Sequence, residues 1–426
     1  MKQSYLFGLL QAFKNHPPHF LTNLLLGICM YTGVAAQNQA VDLGSLDAGN
    51  GSFRYVAIGS SLSAGVRDGG VYAAAQQTSF PALLAQQMGI KDFKQPLLPG
   101  NGTGRKTVTK DKNGNLKFTE IKGLDDTSPD AQLPKVVGEI DNLAVPYLKV
   151  FDLFEGDENN ANGVYDNRSY RHLARLSNDK KSLPYLLENQ KLKADFFTYE
   201  FGFHDFIQFA QNGGYTRDIS FMCEREFTGE KVLLDKVSAT VPNGVILNVP
   251  NYLNFPIFKM YSLEKAQSKL GTEILYVEHW QKSHVRPVDE YDILLPQGSV
   301  ADLFAGGSSG LSAENPLKDE DVLDSEEQRF AGVFGYNKLL RIFADQKKLP
   351  YVDLEGLYDK VLNGEYQNAD EMTVDPSYPG GNFFSADGIT PTALGQAIIT
   401  NEIIGVLNEH YKANIPLLNL KNYATL

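Results

Sequence analysis

Four short apolar runs set the rhythm of this chain. They are Phe53–Ile58 (FRYVAI), Ala194–Phe201 (ADFFTYEF), Gly244–Val249 (GVILNV) and Tyr351–Leu354 (YVDL). Three of them stop at turn formers: Gly59, Gly202 and Pro250-Asn251. Runs of this length, rich in β-branched and aromatic residues, predict buried strands. Between and after them the period lengthens. Phe80–Met88 (FPALLAQQM) predicts a helix, with Pro81 tolerated in its first turn. Glu326–Gln346 places Phe330, Val333, Tyr336, Leu339, Leu340 and Phe343 at helical spacing. Pro391–Tyr411 does the same with Leu394, Ala397, Ile398, Ile404, Leu407 and Tyr411. Strands that alternate with helices predict an α/β fold, with a mostly parallel sheet covered on both faces. Two stretches fit neither period and predict insertions, around residues 100–190 and 255–325. Within the first, Asn113-Gly114 between KTVTK and LKFTEI predicts a hairpin. No internal repeat is present.

Composition narrows the class. The chain has 426 residues, 42% of them hydrophobic and 21% charged. This is an ordinary soluble balance and excludes disordered, collagenous and multi-span membrane classes. The formal net charge is −12, and no basic face is visible in the sequence, so nucleic acid is not an expected partner.

The N-terminus reads differently from the rest. Residues 1–36 carry Lys2 and Lys14 and no acidic residue. An apolar run, Phe20–Val34, leads into Val34-Ala35-Ala36. The run is short for a membrane span. It predicts a signal peptide cleaved after Ala36 and an exported protein, periplasmic, surface-bound or secreted. An uncleaved anchor is the alternative, so proximity to a membrane stays open. Lipid attachment at Cys29 is disfavoured by the bulky Ile28 before it. Residues 37–52 are small and polar and predict a linker, with the domain running from 53 to 426. Cys223 alone would survive cleavage, so no intrachain disulfide and no zinc framework is expected.

Active sites in parallel α/β folds lie beyond the carboxyl ends of the strands. Three polar groups stand at strand ends or helix starts: Gly59-Ser60-Ser61-Leu62, Gly202-Phe203-His204-Asp205, and Asp387-Gly388-Ile389-Thr390-Pro391. A serine on a tight turn at a helix N-terminus is placed where the helix dipole favours an alkoxide or oxyanion.

These segments, VAIGSSLSAG, FGFHDF and DGITPTALG in that order, resemble blocks I, III and V of the SGNH/GDSL hydrolase superfamily. The flanking text is similar to a bacterial exported branch of it, from about Arg54 to Tyr423. The resemblance implies a flavodoxin-like three-layer α/β/α sandwich and hydrolysis of an acyl or acetyl ester of a lipid or carbohydrate. It implies Ser61 as nucleophile and Asp387 as the acid of the relay. It implies an oxyanion hole from the Ser61 N–H, a block II glycine (Gly100, Gly102 or Gly104) and the block III side chain, here His204. No cofactor and no metal is implied.

The chain departs from that pattern at telling positions. Ser60 stands where the family often has aspartate. His204 replaces the oxyanion asparagine, and an imidazole N–H can still donate. Thr390 replaces the catalytic histidine, and threonine cannot accept a proton near neutral pH. Thr390 before Pro391 reads instead as a helix N-cap, and Asp387 could then serve the turn. His204 could act as base in a Ser61–His204 dyad oriented by Asp205 or Asp387. The other histidines beyond residue 36, His172, His279, His284 and His410, read as surface or core, although His279 and His284 lie in the second insertion and could reach the cleft. The expectation is therefore a serine ester hydrolase, against a pseudoenzyme that binds a glycan or lipid in the same cleft, or a surface-interaction protein. Other motifs fall away. Gly100–Thr107 lacks the second glycine of a phosphate loop, and Asp157–Gly163 breaks the calcium-loop alternation at Ala161. Tyr252, Phe255, Phe258, Tyr261 and Trp280 read as packing, with a ligand-binding wall as the alternative.

Overall fold

The computed structural model describes residues 41–47, 53–112, 116–128, 130–153, 168–177, 183–190, 192–214, 227–271, 274–279, 284–330 and 333–425. The segment read as a signal peptide, Cys29, Cys223, Trp280 and the acidic stretch 157–163 lie outside them. The described residues belong to one compact unit, Val41–Leu426.

Its centre is a parallel sheet of β1 (Tyr55–Gly59), β2 (Phe196–Glu200), β3 (Asn243–Leu247) and β4 (Tyr351–Val352), paired in that order. Tyr55 stands opposite Phe196, Phe196 opposite Asn243, and Tyr351 opposite Ile246. Residues 141–145 run parallel along the free edge of β1. Ala57 N–H donates to Asp141 O, while Leu143 N–H and Val145 N–H donate to Ala57 O and Gly59 O. With this edge counted, the spatial order is second, first, third, fourth, fifth in chain order. That is the flavodoxin-like order, whose topological switch point falls between β1 and β2.

Side chains alternate between the faces of β2. Phe196 meets the ring of Tyr411 on one face. Tyr199 meets Glu230 on the other, and Tyr336 joins the same carboxylate. Tyr411 ends α6 (Ala393–Tyr411), which packs on α2 (Phe80–Gln87). Glu230 lies in α4 (Phe227–Thr240) and Tyr336 in α5 (Phe334–Lys347). Two helical layers therefore enclose the sheet, and the fold is a three-layer α/β/α sandwich.

Four expectations change. Val41–Asp47, within the expected linker, is packed structure. Leu43 and Leu46 are buried in the core, Asp42 bridges Asn414, and Ser45 Oγ donates to Tyr411 O. The first insertion is not wholly peripheral, because it supplies the sheet edge together with buried Leu143, Val145 and Leu148. The helix expected over 326–346 is two, Ser325–Phe330 and α5, since a hydrophobic period alone does not register a break between two helices. The last helix starts two residues late, and its N-cap is Thr392, whose Oγ1 accepts from Gly395 N–H at 3.1 Å. Thr390 is not the cap.

The expected hairpin pairs Gly104–Lys110 with Leu116–Lys122. The second insertion builds its own small core from Ala266, Leu275, Val277, Val300, Leu303 and Phe304 with their neighbours. Tyr252, Phe255 and Phe258 are buried in the main core and line no wall. Tyr261 stacks on Phe304 at 4.0 Å. Among the described residues no helix is long and apolar enough to cross a membrane.

Candidate active site

The switch point carries Ser61. β1 ends at Gly59, where a Cβ would lie 2.5 Å from Ser63 Oγ and 2.7 Å from Glu200 O, so only glycine fits. Ser61 then opens a single helical turn, α1 (Ser61–Ala64), closed by Gly65 in the left-handed region.

A carboxylate from the next strand fixes this turn. Glu200 Oε2 accepts from Ser60 N–H at 3.2 Å, Ser63 N–H at 3.0 Å and Ser63 Oγ at 3.0 Å. The two N–H groups are among the backbone donors that a helix start leaves without intrahelical partners. Glu200 is 1% exposed. Burial lifts its pKa to about 7 against the opposing pull of these hydrogen bonds. Ser60, the position that departs from aspartate, donates its Oγ to Leu148 O at 2.6 Å and ties the turn to the loop beyond the sheet edge.

That loop delivers the one hydrogen bond made by the Ser61 hydroxyl among the described residues. Tyr147 N–H donates to Ser61 Oγ at 3.1 Å. Tyr147 has φ +63°, unusual for a residue with a side chain. Its ring meets the His204 ring at 5.4 Å and the His172 ring at 5.8 Å, with the Arg168 guanidinium 3.8 Å over it. Such conformations persist only where surrounding contacts hold them.

His204 sits in the first turn of α3 (Phe203–Gln211), after Gly202 at φ +91°. It is buried, and its neighbour Asp205 accepts from Val150 N–H at 2.8 Å. The start of α3 therefore grips the same loop that carries Tyr147. His172, expected to be plain core or surface, is buried and paired. Its Nε2 lies 3.1 Å from Asp126 Oδ2. Burial lowers its pKa, and the Asp126 carboxylate only partly opposes this.

The Asp387 segment is organised differently. Oδ1 accepts from Ser385 Oγ at 3.1 Å, Ile389 N–H at 2.8 Å and Thr390 N–H at 2.7 Å. Oδ2 accepts from Thr390 Oγ1 at 2.6 Å and Gly69 N–H at 3.0 Å. Burial raises the Asp387 pKa while these bonds pull it back. Among the described residues Asp387 contacts no histidine through a hydrogen bond. Thr390 closes a turn whose neighbour Asp68 also binds Ala386 N–H.

The structure thus gathers Ser61, Tyr147, His204, the His172–Asp126 pair and Glu200 about one corner. Among the described residues no hydrogen bond joins Ser61 at that corner to Asp387. Nor do the expected glycines supply donors there. Gly102 N–H is taken by Pro99 O and Gly104 N–H by Asn101 O, while Gly100 is exposed on the same turn. All three have positive φ because the chain folds back into the hairpin. The donor at Ser61 is Tyr147 N–H, in the turn after the sheet-edge segment. Its only sequence signal is a brief apolar run, LAVPYL, inside polar text. His279 lies 3.6 Å from Asp324 and stacks on His284 in the second insertion, and His410 is exposed. Among the described residues no three His, Cys, Asp or Glu side chains come together as a metal set.

No protein-family model and no curated protein matches the chain. Solved structures similar in shape include LAE5, an alpha/beta hydrolase enzyme from the metagenome of Lake Arreo, Spain. It is 15% identical, with a TM-score of 0.36, over 86% of this chain and 98% of that one. An extracellular lipase from Streptomyces rimosus is 13% identical, with a TM-score of 0.33, over 84% of this chain and all of the lipase. Likeness at this level carries no argument about the site, and the fold stands on its own topology.

Proposed function

We propose that this chain is a serine ester hydrolase of SGNH/GDSL type acting on an acyl or acetyl ester of a lipid or carbohydrate. Ser61 is the nucleophile, and the N–H groups of Ser61 and Tyr147 are its oxyanion donors. The observation that carries the reading is the placement of Ser61 Oγ at the switch point, on the first residue of a helical turn, 3.1 Å from a backbone donor. A donor at that oxygen stabilises an alkoxide, and the same N–H can serve the oxygen of a tetrahedral intermediate. His204 is the proposed proton acceptor, next to the ring of Tyr147. Export through residues 1–36 belongs to the proposal, and N-terminal sequencing of secreted material tests it.

One observation favours a second reading. The Asp387 carboxylate is wholly engaged by its own turn and Gly69, which suits a binder that has lost its relay. Fluorophosphonate labelling decides, because the probe reports an activated serine without knowledge of the substrate. Labelling of the folded protein that disappears in Ser61→Ala and in His204→Ala supports the hydrolase with His204 as base. Loss in Ser61→Ala alone moves the base elsewhere. An unlabelled wild type overturns hydrolysis in favour of the binder.

A further inference from the structure

The hairpin Gly104–Lys110/Leu116–Lys122 stands apart in charge. Between Gly104 and Lys122 the chain carries Arg105, Lys106, Lys110, Lys112, Lys117 and Lys122 against Asp111 and Glu120. The whole chain has a net charge of −12. The sequence shows no basic face because these cations are spaced by threonines and apolar residues. Pairing gathers them on one narrow ribbon: Lys106, Lys110 and Lys122 share the face of Phe118, Lys117 lies on the other face, and Lys110 and Lys117 stand in its last two pairs, with Lys112 just beyond.

The five lysines are exposed, and among the described residues none forms an ion pair. Phe118 lies among them, 44% exposed, with the Lys106 ammonium 6.0 Å from its ring centre. Lys106 N–H binds Asp68 O near the root, and Val108 and Leu116 near the turn lean on the main core, so the ribbon is fixed to the body along its length.

We propose that this hairpin docks the protein on an anionic phospholipid surface. Charge complementarity selects the partner's sign. Lysines are flexible point charges that suit a fluid layer of phosphates, whereas fixed phosphates are read by arginine forks. The single arginine, Arg105, is stacked on Tyr72 at 4.9 Å. A half-exposed phenylalanine among lysines suits the boundary between headgroups and acyl chains. The inference does not rest on ester hydrolysis, and Ser61→Ala should dock as the wild type does.

The test is co-sedimentation of the full chain with phosphatidylcholine vesicles, with and without phosphatidylglycerol, beside Lys110→Glu/Lys112→Glu/Lys117→Glu. These side chains make no bond that the fold needs, and an unchanged melting curve verifies that. Binding should require phosphatidylglycerol, fall with added salt, and drop at least about a hundredfold in the triple variant. Phe118→Ser should weaken it further without changing the salt response. Equal binding of wild type and triple variant, or equal binding to both vesicle types, overturns the proposal. So does a duplex DNA oligonucleotide that binds the hairpin as tightly as the vesicles do.

Discussion

The Ser61 corner and the Asp387 turn are both polar segments near the carboxyl end of one sheet, and both are dense in hydrogen bonds. They differ in what the bonds consume. At Ser61 the bonds fix backbone. Glu200 holds the N–H groups of the turn, Ser60 holds the neighbouring loop, and the Ser61 hydroxyl meets a single N–H. At Asp387 the bonds consume the side chain itself, since both carboxylate oxygens are occupied from Ser385, Ile389, Thr390 and Gly69. One arrangement leaves a side-chain oxygen with room for a partner, and the other spends its polar atoms on closing a turn.

The largest effect expected is at Ser61. Ser61→Ala should remove fluorophosphonate labelling and any ester hydrolysis, a loss on the order of 10⁴–10⁶ in rate. A residual rate close to wild type would place the reactive group elsewhere. The comparison is sharpened by Thr390→His. Thr390 already holds Asp387 at 2.6 Å, so an imidazole there would have its acidic partner in place. Labelling should rise by roughly 10²–10⁴ if the turn faces the serine, the usual worth of a positioned base. No rise would mean that the two regions are not aligned for chemistry.

Asp387→Ala should act in the opposite sense. It takes the acceptor from the part-buried N–H groups of Ile389 and Thr390 and should cost about 2–4 kcal/mol in denaturant melts. Labelling of the protein that stays folded should be unchanged if the turn is structural, and lost if Asp387 still serves a relay.

The last expectation concerns pH. Glu200 has its pKa raised by burial from an ordinary 4.5 to about 7. The unfolded chain therefore releases this proton first as pH rises, so Glu200 subtracts stability progressively between pH 4.5 and 7 and no further above. The shift corresponds to about 3 kcal/mol. Glu200→Gln should flatten that part of the stability profile. An unchanged slope would show that other groups dominate it.

Much of this comparison was legible before the structure. The four strands fall within two residues of the apolar runs at their starts and ends, because buried parallel strands need continuous hydrophobicity. Ser61 was legible because a strand running into Gly-Ser-Ser can only turn there. Thr390 was misread as a cap, since Thr-Pro and Thr392 two residues later carry the same local signal, and only the path of the chain chose between them. Tyr147 was invisible, because its part is played by a backbone N–H.

The sequence by itself determined the α/β class, the strand ends where polar residues collect, and the absence of a histidine at position 390. Those are properties of local pattern and of residue identity. Tertiary structure decided the strand order, and through it which polar groups meet. It laid residues 141–145 against β1 and so brought Tyr147 to Ser61. It buried Glu200 under the turn, joined His172 to Asp126, and closed Asp387 upon Thr390. Each of these pairings except the last spans tens of residues. Such contacts follow from how elements pack, and no short window of sequence records that.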